Sequence, residues 1–359
     1  MVNTSILSTI SVFAVAMAFT MHPALADHHH SLHFPAVDGP GGGKKIVLLA
    51  GDEEYRSEEA MPMLGKILSQ KHGFDCMVVF SIDEKTGIID PNNQKSLHGL
   101  KALEGADLMM IATRFRDLSD EEFAIIGRFL NAGKPVIGLR TATHAFRGKA
   151  KFESLACAEF GLKILGEKWV SHHGSHKHQG ARGVVEEANK NHPVLNSVAD
   201  VFAPSDVYGV VHLGAADTIL LRGAVTENLD PASKPIPGDK NNPMMALAWL
   251  HEYTAPDGAT KGTAFCTTAG AAVDLVSEDL RRIVVNAAFH LTGLEVPEKA
   301  DVDYVDPYYP SFFGFVKTET LLKGAGLKPA DYGLGKSPPA SDPPRSPAWP
   351  FREMGPALK

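Results

Sequence analysis

Short apolar runs alternate with amphipathic stretches in the first part of the chain. The apolar runs are Lys44 to Ala50, Phe74 to Phe80, Ala106 to Ala112 and Val136 to Leu139. Helical periodicity follows two of them, from Ser57 to Gly73 and from Ser119 to Asn131. Helical crossovers between strands force parallel pairing, with helices on both faces of the sheet. The pattern therefore predicts an α/β fold with a flavodoxin-like, doubly wound, mostly parallel sheet.

The chain after Lys163 is less regular, but further elements can be predicted. Thr218 to Val225, Met244 to Tyr253 and Gly262 to Thr267 are strand-like, and a helix is expected from Ser277 to Gly293. A short helix is also expected around Gln94 to Leu100. We interpret residues 44–315 as one domain and residues 316–359 as a Pro-rich tail that is irregular from Ser337 onward.

The N-terminal residues have the pattern of an export signal. An apolar segment over residues 5–21 precedes Ala24-Leu25-Ala26, a small-x-small cleavage pattern. This predicts a signal peptide over residues 1–26, a flexible His-rich linker over 27–43, and a periplasmic or secreted mature chain that begins at Asp27. An uncleaved anchor is the alternative, because no Lys or Arg precedes the apolar run. No further segment is a membrane-span candidate.

Charge and cysteine content narrow the functional classes. The 359 residues carry a formal net charge of -7 and show no basic stripe, which argues against a nucleic-acid binder. Three widely spaced cysteines give no disulfide framework. Cys76 and Cys266 lie in strand-like runs, so we expect them to be buried as small hydrophobic residues.

Polar side chains follow three of the predicted strands at the point where each strand ends. Asp52 and Glu54 follow the first strand, Arg114 and Arg116 the third, and Arg140 and His144 the fourth. The carboxyl ends of parallel strands share one edge, where crevices form in open α/β sheets. Guanidinium forks suit hydroxyl-rich or carboxylate ligands, and a histidine can act as general acid or base. The alternatives are a structural salt bridge between Asp52 and Arg114 and a helix-face role for His144.

Four histidines lie within seven positions of one another, at His172, His173, His176 and His178. Only His172 and His176 have the i, i+4 spacing of a helical metal-binding pair, and Gly174 favours a loop over a helix. We interpret the segment as a loop that contributes ligand contacts. No cofactor is predicted, and a divalent metal is kept as the alternative.

Several motifs in order resemble the ThuA-like, or trehalose-utilisation, family of the class I glutamine amidotransferase-like superfamily. They are Gly51-Asp52 with Arg56-Ser-Glu-Glu59, Arg114-Phe-Arg116, Gly133 to Phe146, Trp169 with His172-His173-Gly174, His192-Pro193, Ala248-Trp249 with His251-Glu252-Tyr253, and Leu280 to Ala288 with Gly293 to Pro297. The resemblance covers residues 44–315. It implies a flavodoxin-like fold and a role in handling disaccharides and their 3-keto derivatives.

Within that superfamily, this sequence departs from the glutaminases at two places. Their nucleophilic cysteine occupies the elbow between strand and helix, where this chain has Arg140. None of the three cysteines lies on that turn, so we expect no glutaminase activity. The second departure is Gly270-Ala271-Ala272, where the resemblance implies a histidine after the glycine.

The resemblance and the strand-end residues together predict an exported carbohydrate-metabolism protein that acts by acid–base chemistry on a glycoside or 3-keto-glycoside. It would be a lyase, isomerase or hydrolase, and its partner a small-molecule sugar. The alternative is a non-catalytic sugar-binding protein. The predicted catalytic residues are His144 and Arg140. The predicted substrate contacts are Asp52, Glu54, Tyr55, Arg114, Arg116, Thr141, Trp169, His172, His173 and Trp249. Thr141 is alternatively a helix N-cap.

Overall fold

The structure is a computed structural model that describes Met1 and residues 30–324 and 326–348. The predicted signal peptide and its cleavage site therefore lie outside the described residues, apart from Met1. Among the described residues, no helix combines the length and the apolar character needed to cross a bilayer.

The regular elements alternate along the chain. The strands are β1 (Ser31–Phe34), β2 (Lys45–Gly51), β3 (Asp75–Phe80), β4 (Ile82–Asp83), β5 (Ile88–Ile89), β6 (Leu108–Thr113), β7 (Val136–Leu139), β8 (Lys151–Phe152), β9 (Leu155–Ala156), β10 (Ala181–Val185), β11 (Val201–Ala203), β12 (Thr218–Val225), β13 (Met245–Thr254) and β14 (Lys261–Thr267). The α-helices are α1 (Ser57–His72), α2 (Asp120–Asn131), α3 (Phe160–Ile164), α4 (Glu278–Leu291) and α5 (Thr318–Lys323).

One sheet of ten strands forms the centre of the fold, in the order β1-β3-β2-β6-β7-β14-β13-β12-β10-β11. The five strands β3-β2-β6-β7-β14 are parallel to one another. Numbered within this group, their order is 2-1-3-4-5, the flavodoxin-like order. The predicted fold class is confirmed, with one difference. Antiparallel strands extend the sheet on both sides. At one edge β1 pairs with β3, and at the other β13 and β12 follow β14, where loops rather than crossover helices join the strands.

Helices cover both faces of the sheet, as the doubly wound prediction requires. α1 and α4 pack on one face, where Leu64 and Ile283 belong to the same buried cluster. α2 covers the other face, where Phe123 and Ile126 pack with Val136 of β7. The sheet is therefore buried on both sides, which explains why its parallel strands are continuous apolar runs.

Local signals fix most helix ends. Gly73 ends α1 in a left-handed conformation, with φ of 76°, and its N–H caps the last turn. Ser119 and Glu122 form a capping box at the start of α2. The helix predicted around Gln94 to Leu100 is wrong. Instead, a 3₁₀ helix over Leu100–Gly105 follows Gly99, which has a φ of 108°. The helical turn therefore begins later in the chain than predicted.

The segments at both ends of the described chain attach to the domain. The linker prediction for residues 27–43 is wrong at Ser31–Phe34, which pair antiparallel with β3. Phe34 is buried against α1, where its ring lies close to Gly65. In the tail, the Ser341 N–H donates to Ser311 Oγ at 2.7 Å and the Phe312 N–H donates to Asp342 at 2.8 Å. Residues 337–348, the described part of the segment predicted to be irregular, are thus hydrogen-bonded to the domain although they contain no helix or strand.

Candidate functional site

The candidate site lies at the carboxyl ends of β2, β6 and β7. It includes the point between β2 and β6 where the strand order reverses, which is where ligands bind in open α/β sheets. Loops 51–56, 113–116 and 140–146 leave these strand ends. Loops 169–178 and 204–208 approach from the antiparallel half, joined by an isolated bridge between His172 and Tyr208.

Arg140 is the buried centre of this region. The chain leaves β7 through Arg140, whose φ of 45° is left-handed, and enters a 3₁₀ helix over Arg140–His144. Its guanidinium donates to the carbonyl oxygens of Ser205, Asp206 and Thr268, and to the Asp206 carboxylate at 3.0 Å. The guanidinium carbon also lies over the rings of two tyrosines, 4.5 Å from that of Tyr55 and 4.1 Å from that of Tyr208.

The burial of Arg140 corrects the sequence interpretation. The sequence analysis predicted that Arg140 and His144 act together as catalytic residues at the edge of the sheet. Instead Arg140 is 1% exposed, and its guanidinium is occupied by groups from three other loops. Arg140 therefore positions the site and does not face a ligand.

Asp52 also lies in the buried layer. Its carboxylate accepts from the N–H groups of Glu54 and Tyr55 at 2.7 and 3.1 Å, and from the Thr141 hydroxyl at 2.5 Å. The hydroxyl of Ser57, the first residue of α1, accepts from the Asp52 N–H. Burial raises the pKa of Asp52 to about 6, against the opposing effect of the Thr141 hydrogen bond. Asp52 and Thr141 thus hold the loops after β2 and β7 together.

An acid that the sequence interpretation passed over, Glu53, pairs with both arginines after β6. Its carboxylate accepts from Arg114 at 2.5 Å and from Arg116 at 2.8 Å. Arg116 is fully buried and also donates to carbonyl oxygens of residues 91, 93 and 114. The structural salt bridge considered for Asp52 and Arg114 is therefore made by Glu53. Arg116 does not face the crevice, whereas the Arg114 side chain is 21% exposed.

A second, partly accessible layer lies above Arg140. Its partly exposed or exposed members are Arg114, His144, Trp169, His172 and His176, and the Glu54 carboxylate, although the residue is only 7% exposed, lies next to two of them. Arg114 Nε lies 3.9 Å from the Glu54 carboxylate. The Trp169 ring is 40% exposed and lies 5.6 Å from the ring of His144 and 6.1 Å from that of His172. The layer thus combines an accessible aromatic face with a carboxylate, a guanidinium and imidazoles.

The surroundings of His144 keep its imidazole uncharged. The ring packs against Phe115 at 5.0 Å, and its Nδ1 lies 3.2 Å from the Thr143 hydroxyl. Burial, followed by the positive charges of Arg114 and Arg140, lowers the pKa of His144 to about 3. At neutral pH this side chain can accept a proton or a hydrogen bond at its free ring nitrogen, but it carries no charge.

His172 and His176 converge on a single carboxylate. Asp206 Oδ2 lies 3.0 Å from His172 Nδ1 and 3.4 Å from His176 Nδ1, and the two imidazole rings are 4.1 Å apart. Asp206 is buried with a left-handed φ of 70°, a strained conformation for a residue with a side chain. Burial opposes ionisation of Asp206, but Arg140 and the two histidines outweigh it and lower its pKa to about 2.

His176 is the residue that the sequence interpretation missed. The sequence offered little basis for choosing among the four histidines. Only the i, i+4 spacing to His172 distinguished His176. His173, which was chosen instead, points away: its Nε2 lies 2.6 Å from the carbonyl oxygen of Lys240. The prediction of a ligand contact at His173 is corrected accordingly.

Two further predicted contacts lie beneath the accessible layer. Trp249 is fully buried in β13 and donates its indole N–H to the Leu165 carbonyl at 2.7 Å, so it belongs to the core. Tyr55 is 2% exposed, and its hydroxyl accepts from Arg140 at 3.3 Å. Neither ring can stack on a bound sugar. Of the three aromatic residues predicted to contact substrate, Trp169 is therefore the accessible one.

Comparisons with known proteins yield similarities of fold. No family model matches the chain, and no curated protein matches it. Among solved structures, the chain is similar to a ThuA-like protein from Parabacteroides merdae, with a TM-score of 0.44 and 13% identity over 76% of this chain and 97% of that one. It is also similar to the glutaminase domain of a CTPS from Trypanosoma brucei, with a TM-score of 0.35 and 10% identity over 72% and 98% of the two chains. The assignment of the flavodoxin-like class rests on the strand order described above.

Substitution of Arg140 is expected to destabilise the protein severely. Arg140→Leu removes the partner of the buried Asp206 carboxylate, and the loss of one member of a buried ion pair costs about 3–5 kcal/mol of unfolding free energy. Urea denaturation at neutral pH measures this cost. Arg128→Leu is the matched control, because Arg128 pairs with Glu104 on the surface and should contribute at most about 1 kcal/mol. Equal stability of the two variants would contradict the central role of Arg140.

The raised pKa of Asp52 predicts a dependence of stability on pH. The folded protein holds this proton more tightly than the unfolded chain does, since the pKa rises from 3.8 to about 6. This contribution is therefore fully present below about pH 4 and is lost as the pH rises through about 6. The loss amounts to roughly 3 kcal/mol. Asp52→Asn keeps the acceptor and offers an N–H to Thr141, so the difference in unfolding free energy between variant and wild type should grow in favour of the variant from pH 4 to pH 7. A constant difference would show that Asp52 ionises normally.

Proposed function

We propose that this chain is an exported carbohydrate-metabolism protein that acts by acid–base chemistry on a glycoside or 3-keto-glycoside. The observation that supports it most is the accessible layer above Arg140. In that layer an exposed indole lies beside imidazoles, a carboxylate and a guanidinium. Sugars combine apolar C–H faces with many hydroxyl groups, and this mixture of groups is suited to both. The ThuA-like resemblance of the sequence supports the same substrate class.

Each accessible residue has a distinct part in this proposal. Trp169 stacks on the apolar face of the sugar ring. Arg114 donates to hydroxyl or carbonyl oxygens of the sugar, and Glu54 accepts from its hydroxyl groups. His144, uncharged at neutral pH, takes a proton from the sugar and returns it later in the reaction. Arg140 holds the loops that carry these groups and does not touch the sugar.

Glutaminase chemistry is not part of the proposal. The left-handed turn at residue 140 has the position of a nucleophile elbow, but its side chain is a guanidinium that points into the protein. Cys76, Cys157 and Cys266 are buried free thiols, and burial raises the pKa of each. A thiolate nucleophile needs the opposite shift in pKa and access to the substrate.

A non-catalytic sugar-binding protein is the second candidate. The pKa of about 3 at His144 favours it, because proton transfer is most efficient when the pKa of the catalytic group is near the working pH. Under this alternative the same crevice binds the same sugars, and His144 serves as a neutral hydrogen-bonding group.

Binding tests the crevice, and turnover separates the two candidates. We expect isothermal titration calorimetry to detect binding of trehalose or a 3-keto-glycoside to the protein. Trp169→Ala should weaken that binding about tenfold or more, because the variant lacks the exposed aromatic face that the bound sugar covers. Val170→Ala, a change at the adjacent exposed residue, is the control and should bind normally. If Trp169→Ala binds as tightly as Val170→Ala, the crevice assignment is wrong.

For turnover, conversion of the 3-keto-glycoside is followed by chromatography. His144→Ala should remain folded and bind the sugar but slow conversion by about a hundredfold or more. Binding without conversion by the wild type would instead establish the non-catalytic alternative.

Export is supported by the sequence alone, through the apolar segment and Ala24-Leu25-Ala26. Amino-terminal sequencing of the protein recovered from its native host should begin at Asp27. A mature chain that retains Met1 would exclude cleavage at this site.

A further inference from the structure

The three side chains His172, His176 and Asp206 present one donor atom each to a common point. The donor atoms of all three lie within 4.8 Å of one another. Two histidines and one carboxylate form a familiar donor set for divalent transition metals, and three protein ligands leave positions open for a ligand. The site is accessible, because the side chains of His172 and His176 are 27% and 24% exposed while Asp206 is buried.

The separations between the donors already suit a bound cation. Donors at 2.0–2.2 Å from a tetrahedral zinc ion lie roughly 3.3 Å from one another. The two measured separations, from Asp206 Oδ2 to the Nδ1 atoms of His172 and His176, are 3.0 and 3.4 Å. Arg140 donates to the other carboxylate oxygen, Oδ1, at 3.0 Å. His172 Nδ1 also lies 3.2 Å from Oδ1, but Oδ2 is the oxygen nearer to it and the one that faces both histidines.

The far nitrogen of His176 supplies an independent observation. His176 Nε2 is buried, has no hydrogen-bond partner among the described residues, and lies 3.4 Å from the Glu54 carboxylate. Without a cation, a neutral His176 that donates from Nδ1 to Asp206 leaves Nε2 and Glu54 as two opposed acceptors, so only a doubly protonated ring would satisfy both carboxylates. If Nδ1 binds a cation, Nε2 carries the proton and donates it to Glu54. Carboxylates orient metal-binding histidines in this way.

We propose that His172 Nδ1, His176 Nδ1 and Asp206 Oδ2 bind one divalent transition-metal cation of the zinc class, with Glu54 orienting His176. Asp206 supplies the anionic ligand of the set, and the Glu54 carboxylate lies beside His176, while Arg140 and Arg114 lie next to these two carboxylates. The point of convergence lies beside Trp169, whose ring is 6.1 Å from that of His172, and so within the accessible layer.

The role of such a cation rests on the proposed function, whereas its binding does not. A divalent cation polarises a carbonyl or hydroxyl oxygen of a bound sugar and makes its protons more acidic. A weak base such as His144 could then accept a proton that it could not take from a free sugar. The cation would thus reconcile the low basicity of His144 with acid–base chemistry at neutral pH.

The test measures metal binding directly on the untagged full chain. His28, His29 and His30 are first replaced by alanine so that they add no site. The protein is stripped with a chelator and titrated with Zn²⁺ against a chromophoric competitor, and Co²⁺ is used to record a ligand-field spectrum. We expect one equivalent to bind. His172→Ala and His176→Ala should each weaken binding by more than about a hundredfold, and Glu54→Gln by about tenfold or more.

His173→Ala and His178→Ala are the matched controls, because His173 bonds to Lys240 and His178 is exposed. Both controls should bind as the parent protein does, with circular dichroism showing that every variant is folded. Absence of binding by the folded parent protein overturns the proposal, as does tight binding that survives both ligand substitutions. Titration of the stripped protein with sugar tests the proposed function separately from the metal site. If the protein binds sugar but no metal, only the proposal of a metal site is overturned.

Discussion

The buried ion pair of Arg140 and Asp206 organises the candidate site. One guanidinium satisfies carbonyl groups from two distant loops, a carboxylate and a tyrosine hydroxyl at the same time. Arginine suits this position because its fork offers five donors in a fixed plane, whereas a lysine ammonium could not reach the same set. Two residues in left-handed conformations face each other across the pair, and the interactions they make offset the strain of holding them there.

The site has two layers with different functions. The lower layer is built on Arg140, Asp52 and Glu53, whose hydrogen bonds to other loops fix the loops after β2, β6 and β7. The upper layer holds the groups that a ligand could touch. Glu54 links the two, since its N–H is held by Asp52 below while its carboxylate faces Arg114 and His176 in the crevice. The carboxylates and arginines that looked equivalent in sequence thus differ in their partners, because Glu53 pairs with both arginines after β6 whereas Glu54 faces Arg114 and His176.

The fold was accessible from the sequence because its signals are local. Gly133-Lys134-Pro135 marks the start of β7, and the four apolar runs correspond to four parallel strands within a few residues. The region of the site was also predictable, since strand ends in a parallel sheet share an edge. Side-chain direction was not. Arg140 turns inward because residues 205, 206 and 268 offer acceptors there, and nothing near residue 140 in sequence records their presence. For the same reason, nothing in the sequence showed that His173 points toward the carbonyl oxygen of Lys240 while His176 points toward Asp206.

The connections of Arg140 also bear on the order in which the protein can fold. Its acceptors lie 66 and 128 residues further along the chain. During synthesis the parallel strands β2, β3, β6 and β7 emerge first and can collapse with α1 and α2, while the side chain at residue 140 still lacks its partners. Loops that must close over such separations slow folding. The newly made chain therefore carries an arginine that lacks its Asp206 and Thr268 acceptors, at the end of a nearly complete parallel sheet, until the segments that contain those residues have been made.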